Sequence, residues 1–238
     1  MPITSRRQRQ QIKNQLSVIR HRAVRMRRRP DAGEEKVFCV GRNKTGTTTM
    51  ARALRELGYR VAPQRYAELL SDDFYLKGEF DPIVDFCRYY NAFQDIPFSW
   101  PQTYRVLDEA FPNARFVLTV RDSAEQWYES LIRFQSKRFG KDGRLPTEAD
   151  LRAAEYVRPG FVHRSKSVWG NQGDALYDRD LLIQSYLDFN AEIERYFSDR
   201  EGKLLVVNVS RPGDYQRLCS FLGREPSREG GFPWENRT

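Results

Sequence analysis

The side chains best suited to chemistry lie in one short segment, GRNKTGTTTM, at residues 41–50. The apolar run KVFCVG at 36–41 leads into this segment, and apolar residues with helical spacing follow it. A loop that leaves a strand and enters a helix presents unpaired backbone N–H groups and the positive end of the helix dipole. The position of the segment therefore favours an anion-binding loop.

The composition of the loop supports the same interpretation. Gly46 allows the backbone to approach a ligand closely, and Lys44 adds a mobile positive charge. Four hydroxyl groups are further donors, those of Thr45, Thr47, Thr48 and Thr49. An ordinary strand-to-helix turn with threonine caps would explain the glycine and the threonines, but not Lys44 or the density of hydroxyl groups. The sequence predicts that this loop binds an anion.

A second candidate anion site lies in FVLTVRDSAEQWYES at 116–130. An apolar strand here ends in Arg121, and a helix that carries Ser130 follows. A guanidinium at the end of a strand can hold a phosphate in a fork, and a hydroxyl along the helix can donate to the same group. Arg121 could instead pair with Asp122, with Ser130 as a solvated helix position. The occurrence of both residues after the first loop favours a second anion-binding position.

The order of residues in the first loop distinguishes two kinds of phosphate site. A nucleotide-hydrolysing loop, G-x-x-x-x-G-K-[ST], has its lysine after the inner glycine, and its Ser or Thr holds magnesium. Here Thr47 occupies the place after Gly46, and Lys44 comes before it. The order Lys-Thr-Gly-Thr-Thr resembles the 5′-phosphosulfate loop of sulfotransferases that use 3′-phosphoadenosine-5′-phosphosulfate (PAPS). The segment 116–130 resembles the 3′-phosphate motif of the same family, although the serine usually falls eight residues after the arginine, where this chain has Glu129.

A third segment, 93–122, resembles the part of these enzymes in which a catalytic residue precedes a Leu/Ile-Pro pair. Asp95 stands two residues before Pro97, where the cytosolic branch of the family has a histidine. A carboxylate desolvated among apolar neighbours can have its pKa raised enough to accept a proton from a hydroxyl group. The alternative role of Asp95 is an N-cap or turn residue. Glu79 and Asp85 are the other candidate bases.

The resemblance spans residues 36–238, and the final segment FPWENRT at 232–238 also resembles the C-terminus of many members. It implies a single α/β domain with a central parallel sheet flanked by helices. The P-loop-like phosphosulfate loop is then expected directly after the first strand. Residues 1–35 lie outside the resemblance and are expected to form a basic arm, helical or partly disordered.

The resemblance also implies a reaction, the transfer of a sulfuryl group from PAPS to a hydroxyl or amine by in-line displacement without a metal. Lys44 would lie near the bridging oxygen of the departing 3′-phosphoadenosine-5′-phosphate (PAP). The N–H groups of residues 45–49 and the threonine hydroxyls would hold the 5′-phosphate and the sulfonate. Arg121 and Ser130 would bind the 3′-phosphate, and Asp95 would accept the proton of the acceptor.

Two other functions are compatible with parts of the sequence. A P-loop kinase or NTPase shares the sheet and the anion loop, but it requires a lysine after Gly46 and an acidic residue at a strand end to hold magnesium. A non-catalytic family member could use the basic arm to dock on a membrane or on nucleic acid. Binding of the bisphosphate nucleotide without magnesium would argue against the kinase or NTPase. In a non-catalytic member, deletion of residues 1–30 would remove the function and leave any nucleotide site untouched.

The elements that must position these residues alternate along the chain. Apolar strands are predicted at 36–41, 59–62, 114–120 and 203–209, and the main helices at 46–57, 123–138 and 178–199. Continuous apolar strands separated by helices indicate a parallel sheet covered on both faces. A length of 238 residues suits one domain of this kind. The segment 149–176 has little pattern.

The charge of the chain is concentrated at one end. The formal net charge is +8, and residues 1–30 contain ten basic residues and no acidic ones. The remaining 30 basic residues are outnumbered by 32 acidic residues, so the body of the protein is not basic. Within the arm, apolar residues recur at helical spacing: Ile12, Leu16, Ile19, Ala23 and Met26. This pattern predicts a helix that packs on the body or, alternatively, lies on an anionic membrane; specific nucleic-acid binding is not expected.

The rest of the composition indicates the cellular environment of the protein and the kinds of site that it can contain. Three scattered cysteines, Cys39, Cys87 and Cys219, indicate buried thiols in a reducing compartment rather than disulfides. Two histidines and no Cys/His cluster argue against a structural zinc site. The chain has no run long enough to span a membrane, so a cytoplasmic protein is expected, with peripheral membrane contact as an alternative. Aromatic residues cluster at 74–104, and a small-molecule, lipid or carbohydrate acceptor is expected, preferably an aromatic or lipid-like alcohol.

Overall fold

The computed structural model describes residues 5–31, 33–170 and 173–233, apart from the side chains of residues 174 and 175. Its strands are β1 (Val37–Cys39), β2 (Ala92–Phe93), β3 (Arg115–Thr119), β4 (Glu155–Tyr156), β5 (Arg158–Pro159) and β6 (Leu204–Val207). Four of them form a parallel sheet in the order β2-β1-β3-β6, and β4 pairs with β5 in a small antiparallel ribbon. This sheet confirms the predicted α/β class.

Ten α-helices surround the sheet within the described ranges. They are α1 (Arg6–Arg27), α2 (Thr47–Glu56), α3 (Gln64–Asp73), α4 (Asp81–Cys87), α5 (Thr103–Ala110), α6 (Ala124–Phe139), α7 (Glu148–Ala153), α8 (Phe161–Ser167), α9 (Arg179–Tyr196) and α10 (Pro212–Leu222). Short 3₁₀ turns occupy Tyr75–Lys77 and Gly173–Tyr177.

The strands are buried on both faces, as a parallel sheet between helices requires. Because successive side chains of a strand point to opposite faces, Phe38 and Phe116 pack on one side and Val37 and Val117 on the other. The first side is filled by an aromatic cluster in which Phe38 stacks on Phe93 with ring centroids 4.7 Å apart. These two apolar layers hold the sheet rigidly beneath the loops that follow it.

The parallel register sets where those loops lie. Val37 is level with Ala92 on one side and with Arg115 on the other. Since all four strands run in the same direction, the segments after β1, β2 and β3 emerge at one edge of the sheet. That edge is the common place of ligand sites in open α/β sheets. It brings together the loop at 41–46, the segment at 94–97 and the turn at 120–123.

Two parts of the chain differ from the predicted elements. The expected strand at 59–62 is reduced to one parallel bridge, between Val61 and Ala92, because β2 itself is only two residues long. The segment 149–176, which has little periodicity, folds into the short elements α7, β4, β5 and α8. Such short elements leave little trace in a sequence pattern.

The basic arm contains a helix, α1, whose buried face is polar. Ser5 and Gln8 form a capping box at its start, where each side chain accepts from the other residue's backbone N–H. Its buried residues are Gln10, Ser17 and His21, and the centre of the His21 ring lies 4.2 Å from that of Tyr66, with the two rings tilted. The predicted apolar stripe instead points away from the body. Ile12, Leu16, Ile19 and Met26 are 46%, 46%, 59% and 88% exposed.

The three cysteines are buried free thiols, as predicted. Among the described residues, no helix is both long and apolar enough to cross a bilayer. Residues 234–238, which include most of the C-terminal segment FPWENRT, lie outside the described residues.

Candidate active site

The loop between β1 and α2 is shaped by tight contacts with the next strands. A side chain at Gly41 would meet Thr119 Oγ1 at 2.1 Å and the Thr119 backbone at 2.3 Å. Lys44 and Gly46 both have left-handed backbone conformations, with φ of 73° and 102°. A glycine is required at 46, because a Cβ there would also lie 2.4 Å from a methyl carbon of Val209. The loop therefore curls tightly into the start of α2.

The interior of this curl is held by Thr45. Its hydroxyl donates to the Arg42 carbonyl oxygen at 2.6 Å and also lies 2.6 Å from the Thr119 hydroxyl. Thr45 is fully buried. We conclude that its hydroxyl maintains the shape of the loop.

The first turn of α2 has backbone N–H groups without a partner inside the helix. The first helical hydrogen bond is donated by Met50 N–H to the Gly46 carbonyl oxygen at 2.9 Å. The N–H groups of Thr47, Thr48 and Thr49 precede it, and Gly46 has no side chain to cap them. Thr48 is exposed at this end. The geometry is that of a helix N-terminus open to an oxyanion.

Lys44 lies over the neighbouring helix α6. Its ammonium nitrogen is 3.9 Å from the centre of the Phe134 ring, and the side chain is half-buried. Burial lowers the pKa of Lys44, the nearby Asp95 carboxylate opposes that effect, and Arg121 adds to it. Lys44 thus stands between the two other groups that the sequence analysis singled out.

Arg121 directly contacts the first loop. Its Nε donates to the Lys44 carbonyl oxygen at 2.7 Å, and its backbone N–H donates to the Tyr186 hydroxyl at 3.1 Å. Burial is the main cause that lowers the pKa of Arg121. The Asp122 carboxylate is engaged elsewhere, because it accepts from Asn208 Nδ2 at 2.8 Å and lies 3.5 Å from Arg211 Nε. In the described part of the chain, no carboxylate forms an ion pair with the Arg121 fork.

Ser130 lies on the face of α6 that borders this loop. Trp127, one turn before it, donates from Nε1 to the Asn43 carbonyl oxygen at 3.0 Å, and Phe134, one turn after it, contacts Lys44. Residues three and four apart on a helix are neighbours on one face. Ser130 is half-buried between these two contacts. The ninth-residue spacing from Arg121 therefore still places Ser130 on the side of the loop.

Asp95 reaches the same edge from the end of β2. Its backbone is left-handed, with φ of 59°. Its carboxylate accepts from the Ile96 N–H at 3.0 Å and from the Thr47 hydroxyl at 3.4 Å. Burial raises the pKa of Asp95, while the Ile96 N–H, Lys44 and the Thr47 hydroxyl oppose that rise. The structure thus joins Asp95 to the anion loop through Thr47.

The two alternative bases lie apart from this cluster. Glu79 is exposed just before α4. Asp85, on α4, lies 3.2 Å from Arg25 of the basic arm. Neither is among the groups that act on Lys44, whereas Asp95 is. Of the three carboxylates considered, the structure brings Asp95 alone to the loop.

Two nearby cations were not predicted from the sequence. Arg42, the residue after Gly41, is only 3% exposed, and Arg133 on α6 lowers the pKa of Arg121 as a nearby like charge. The spacing of Ser130 and Arg133 on one helix face was an available signal for the second. For Tyr186, which lies on α9, the sequence held no such signal, since only the tertiary fold brings it to Arg121. Among the described residues, no group of three or more His, Cys, Asp or Glu side chains could hold a metal ion.

Comparison with known protein families gives one match. The sequence model of the sulfotransferase domain family matches residues 36–238. No curated protein is significantly similar to the chain. The match covers everything after the basic arm, including the anion loop, Asp95, Arg121 and Ser130. The chain belongs to the sulfotransferase family, and sulfuryl transfer is the class of reaction that this domain supports.

Proposed function

We propose that this protein transfers the sulfuryl group of PAPS to a hydroxyl group of an acceptor and releases PAP. The observation that carries the proposal is the contact between Arg121 Nε and the Lys44 carbonyl oxygen, 2.7 Å. It joins two candidate anion-binding positions, the start of α2 and the Arg121 guanidinium, at one edge of the sheet. A nucleotide with phosphates at its 5′ and 3′ positions needs two such positions, whereas a nucleoside triphosphate needs one elongated site.

The residues at these two positions fit the two ends of PAPS. The uncapped N–H groups of Thr47, Thr48 and Thr49 suit the 5′-phosphosulfate. The Arg121 fork and the Ser130 hydroxyl suit the 3′-phosphate. When bound, PAPS supplies an activated sulfuryl group and a bisphosphate leaving group. Arg133 is a further cation near Arg121.

The catalytic part of the proposal rests on Lys44 and Asp95. Sulfuryl transfer resembles phosphoryl transfer, in which fixed positive groups stabilise charge that develops on the departing and equatorial oxygens. Lys44 supplies a positive charge beside the loop. Asp95 accepts the proton of the attacking hydroxyl, and the adjacent Thr47 hydroxyl and Ile96 N–H hold its carboxylate in place.

The proposal is tested by calorimetric titration with PAP in the absence of magnesium, followed by transfer assays with labelled PAPS and a panel of acceptors. Tight magnesium-independent binding of PAP and a clear preference over ATP are expected. A requirement for magnesium or a preference for ATP would instead favour a P-loop kinase or NTPase. PAP binding without any transfer, combined with loss of function on removal of residues 1–30, would favour a non-catalytic family member.

The role of Asp95 makes a specific prediction about pH. As a base, Asp95 must be ionised, and burial raises its pKa. Activity should therefore fall as pH decreases through that raised pKa. Asp95→Asn should lower kcat by about 10²–10⁴-fold, the usual contribution of a general base, and remove this acidic limb. Rates measured from acidic to neutral pH check both effects.

The matched control for this prediction is Asp85→Asn. It removes a carboxylate that pairs with Arg25 and lies outside the candidate active site. It should leave kcat and the pH profile unchanged. If Asp95→Asn keeps the wild-type profile while Asp85→Asn or Glu79→Gln abolishes the acidic limb, Asp95 is not the base.

A further inference from the structure

A small cavity adjoins the candidate active site. It is lined by Arg42 and Asn43 from the anion loop and by Ile96, the residue after Asp95. Its volume is about 60 Å³. Because one water needs about 10–15 Å³ in this measure, the cavity holds a group of about four to six non-hydrogen atoms. A chemical group in this cavity lies next to both the lysine loop and the candidate base.

Arg42 is an unusual residue in the lining of such a cavity. Its guanidinium carbon lies 4.6 Å from the ring centre of Trp127 and 3.7 Å from that of Trp169. Nη1 donates to the Ser185 hydroxyl at 3.0 Å, while the buried Nε has no hydrogen-bond partner. No carboxylate of the described chain pairs with it. A buried charge without a counter-ion is costly, so an anion is expected to complete the site.

Lys166 and Gln135 also line this cavity, together with Ser99 and Ser165. Lys166, on α8, is half-buried with its ammonium 4.9 Å from the ring centre of Tyr177. Burial, with Arg42 as a nearby like charge, lowers the pKa of Lys166 to about 7. Gln135 is 4% exposed, and its Oε1 has no partner. The lining contains two cations and no acidic residue, and the rest of the wall is largely apolar, including Trp100 and Leu131.

We propose that this cavity binds an oxyanion carried by the acceptor, so that the preferred acceptors are hydroxyl compounds with a carboxylate, sulfate or phosphate group close to the reacting hydroxyl. This inference rests on the proposed transfer reaction. Arg42, in contact with two indole rings, supplies a fixed charge. Lys166 adds a second, mobile charge, because a bound oxyanion favours its protonated form. The surrounding apolar wall suits the hydrocarbon part of such an acceptor. A neutral lipid-like alcohol, the acceptor preferred from the sequence, would leave both cations without a counter-ion.

The anion site is tested by titrating sodium sulfate into protein saturated with PAP, so that the start of α2 and Arg121 are already occupied. Wild-type protein should take up one further sulfate per chain. Lys166→Met should weaken this uptake by about tenfold or more, since it removes one charge-assisted hydrogen bond. Lys137→Met, a change of an exposed lysine on α6, is the matched control and should have no effect.

No sulfate uptake by the PAP-saturated wild type, or equal uptake by Lys166→Met, would overturn the inference. These outcomes are separate from failure of the proposed function, which would appear first as absence of PAP binding. In transfer assays, 2-hydroxyphenylacetate, whose carboxylate lies close to its hydroxyl, should be a better acceptor than its methyl ester, and Lys166→Met should reduce the difference. Equal turnover of the ester and the acid by the wild-type protein would also contradict the proposal.

The outward face of α1 carries a second, independent inference. Ile12, Leu16, Ile19 and Met26 follow one another at spacings of four, three and seven, so they form one apolar stripe along the helix. All four are exposed. By the same helical periodicity, a row of exposed basic residues borders one side of this stripe: Arg9, Lys13, Arg20 and Arg27. The helix attaches to the body by its opposite, polar face.

We infer that α1 docks the protein on the surface of a membrane that contains anionic lipids. An apolar stripe beside a basic row matches the boundary between acyl chains and negatively charged headgroups. A second copy of α1 is a poor occupant, because residues 1–30 hold ten basic residues and no acidic partner for them. A nucleic acid would use the basic row but leave the apolar stripe in contact with phosphates and water.

Flotation with vesicles tests this inference. The full-length protein should bind vesicles of phosphatidylcholine and phosphatidylserine in equal parts, but not vesicles of phosphatidylcholine alone, and added salt should weaken the binding. The double change Leu16→Gln/Ile19→Gln should weaken it by about tenfold or more, since two side chains lose their burial in the acyl boundary. The matched control, Leu181→Gln/Leu187→Gln, alters two leucines on α9 that are 54% and 46% exposed, and should bind like wild type.

Equal binding to both kinds of vesicle, or binding that the α1 double change leaves intact, would contradict membrane docking. A dimer seen by sedimentation velocity that disappears in the α1 variant, without vesicle binding by the wild type, would assign the stripe to self-association instead.

Discussion

Lys44→Ala is expected to lower kcat for sulfuryl transfer by about 10²–10³-fold, the usual cost of removing one fixed donor from developing transition-state charge. The affinity for PAP should fall only a few-fold, because the N–H groups at the start of α2 still bind the 5′-phosphate. The distinction matters because a lysine that merely bound nucleotide would lower affinity and rate together. Single-turnover assays with labelled PAPS, paired with PAP calorimetry, measure the two effects separately.

Lys44 also contacts Phe134, so a structural effect must be separated from a catalytic one. Lys44→Met keeps the aliphatic stem over the ring and removes only the charge. It should be as inactive as Lys44→Ala and fold as well as wild type. Lys137→Ala, at an exposed position of α6, serves as the charge-matched control. Full activity in Lys44→Met would refute the proposed role of Lys44.

Arg121→Gln is expected to weaken PAP binding by about 10–100-fold, in line with loss of a charged hydrogen-bonding partner. Binding of AMP, which lacks the 3′-phosphate, should change little, so that the preference for PAP over AMP disappears. The physical reason is that the terminal nitrogens of the Arg121 guanidinium have no carboxylate partner among the described residues. Only Nε bonds to the loop, so the terminal nitrogens are left for the 3′-phosphate. Calorimetric titrations of both nucleotides into both proteins measure this ratio.

The Arg121 change needs a control for its contact with the loop. Arg121→Lys retains the charge but not the fork, and it should show an intermediate loss of preference for PAP. Arg195→Ala removes an exposed arginine of α9 and should leave both affinities unchanged. An Arg121→Gln protein that weakens PAP and AMP equally would show that the residue shapes the loop and does not recognise the 3′-phosphate.

The fold class and the order of the motifs follow from local sequence. Strands β1 and β3 and helices α2, α6 and α9 are predicted close to their observed positions, because each is either a continuous apolar run or a long periodic segment. The loop at 41–50 is recognisable for the same local reason, since its lysine, glycine and threonines are consecutive. By contrast, β4, β5 and the short helices α7 and α8 are each too brief to show a period.

The same limit applies to the basic arm. Periodicity identifies α1 as a helix and its apolar stripe as one face, but it does not determine which face meets the body. That choice depends on specific partners, such as the aromatic rings around His21 and the Val157 carbonyl oxygen that accepts from Asn14 at 2.7 Å. These partners lie far from α1 in sequence.

The sequence by itself therefore determined the family and the parallel α/β class and located the candidate anion-binding segments, because apolar runs, helical periodicity and short motifs are all local features. Only the tertiary structure decided that Arg121 meets the Lys44 carbonyl oxygen, that Asp95 rather than Asp85 joins the loop, and that Arg42 and Lys166 line one cavity. The physical reason is that a parallel sheet gathers the ends of strands that are distant in the chain, and no local pattern records which side chains then face one another.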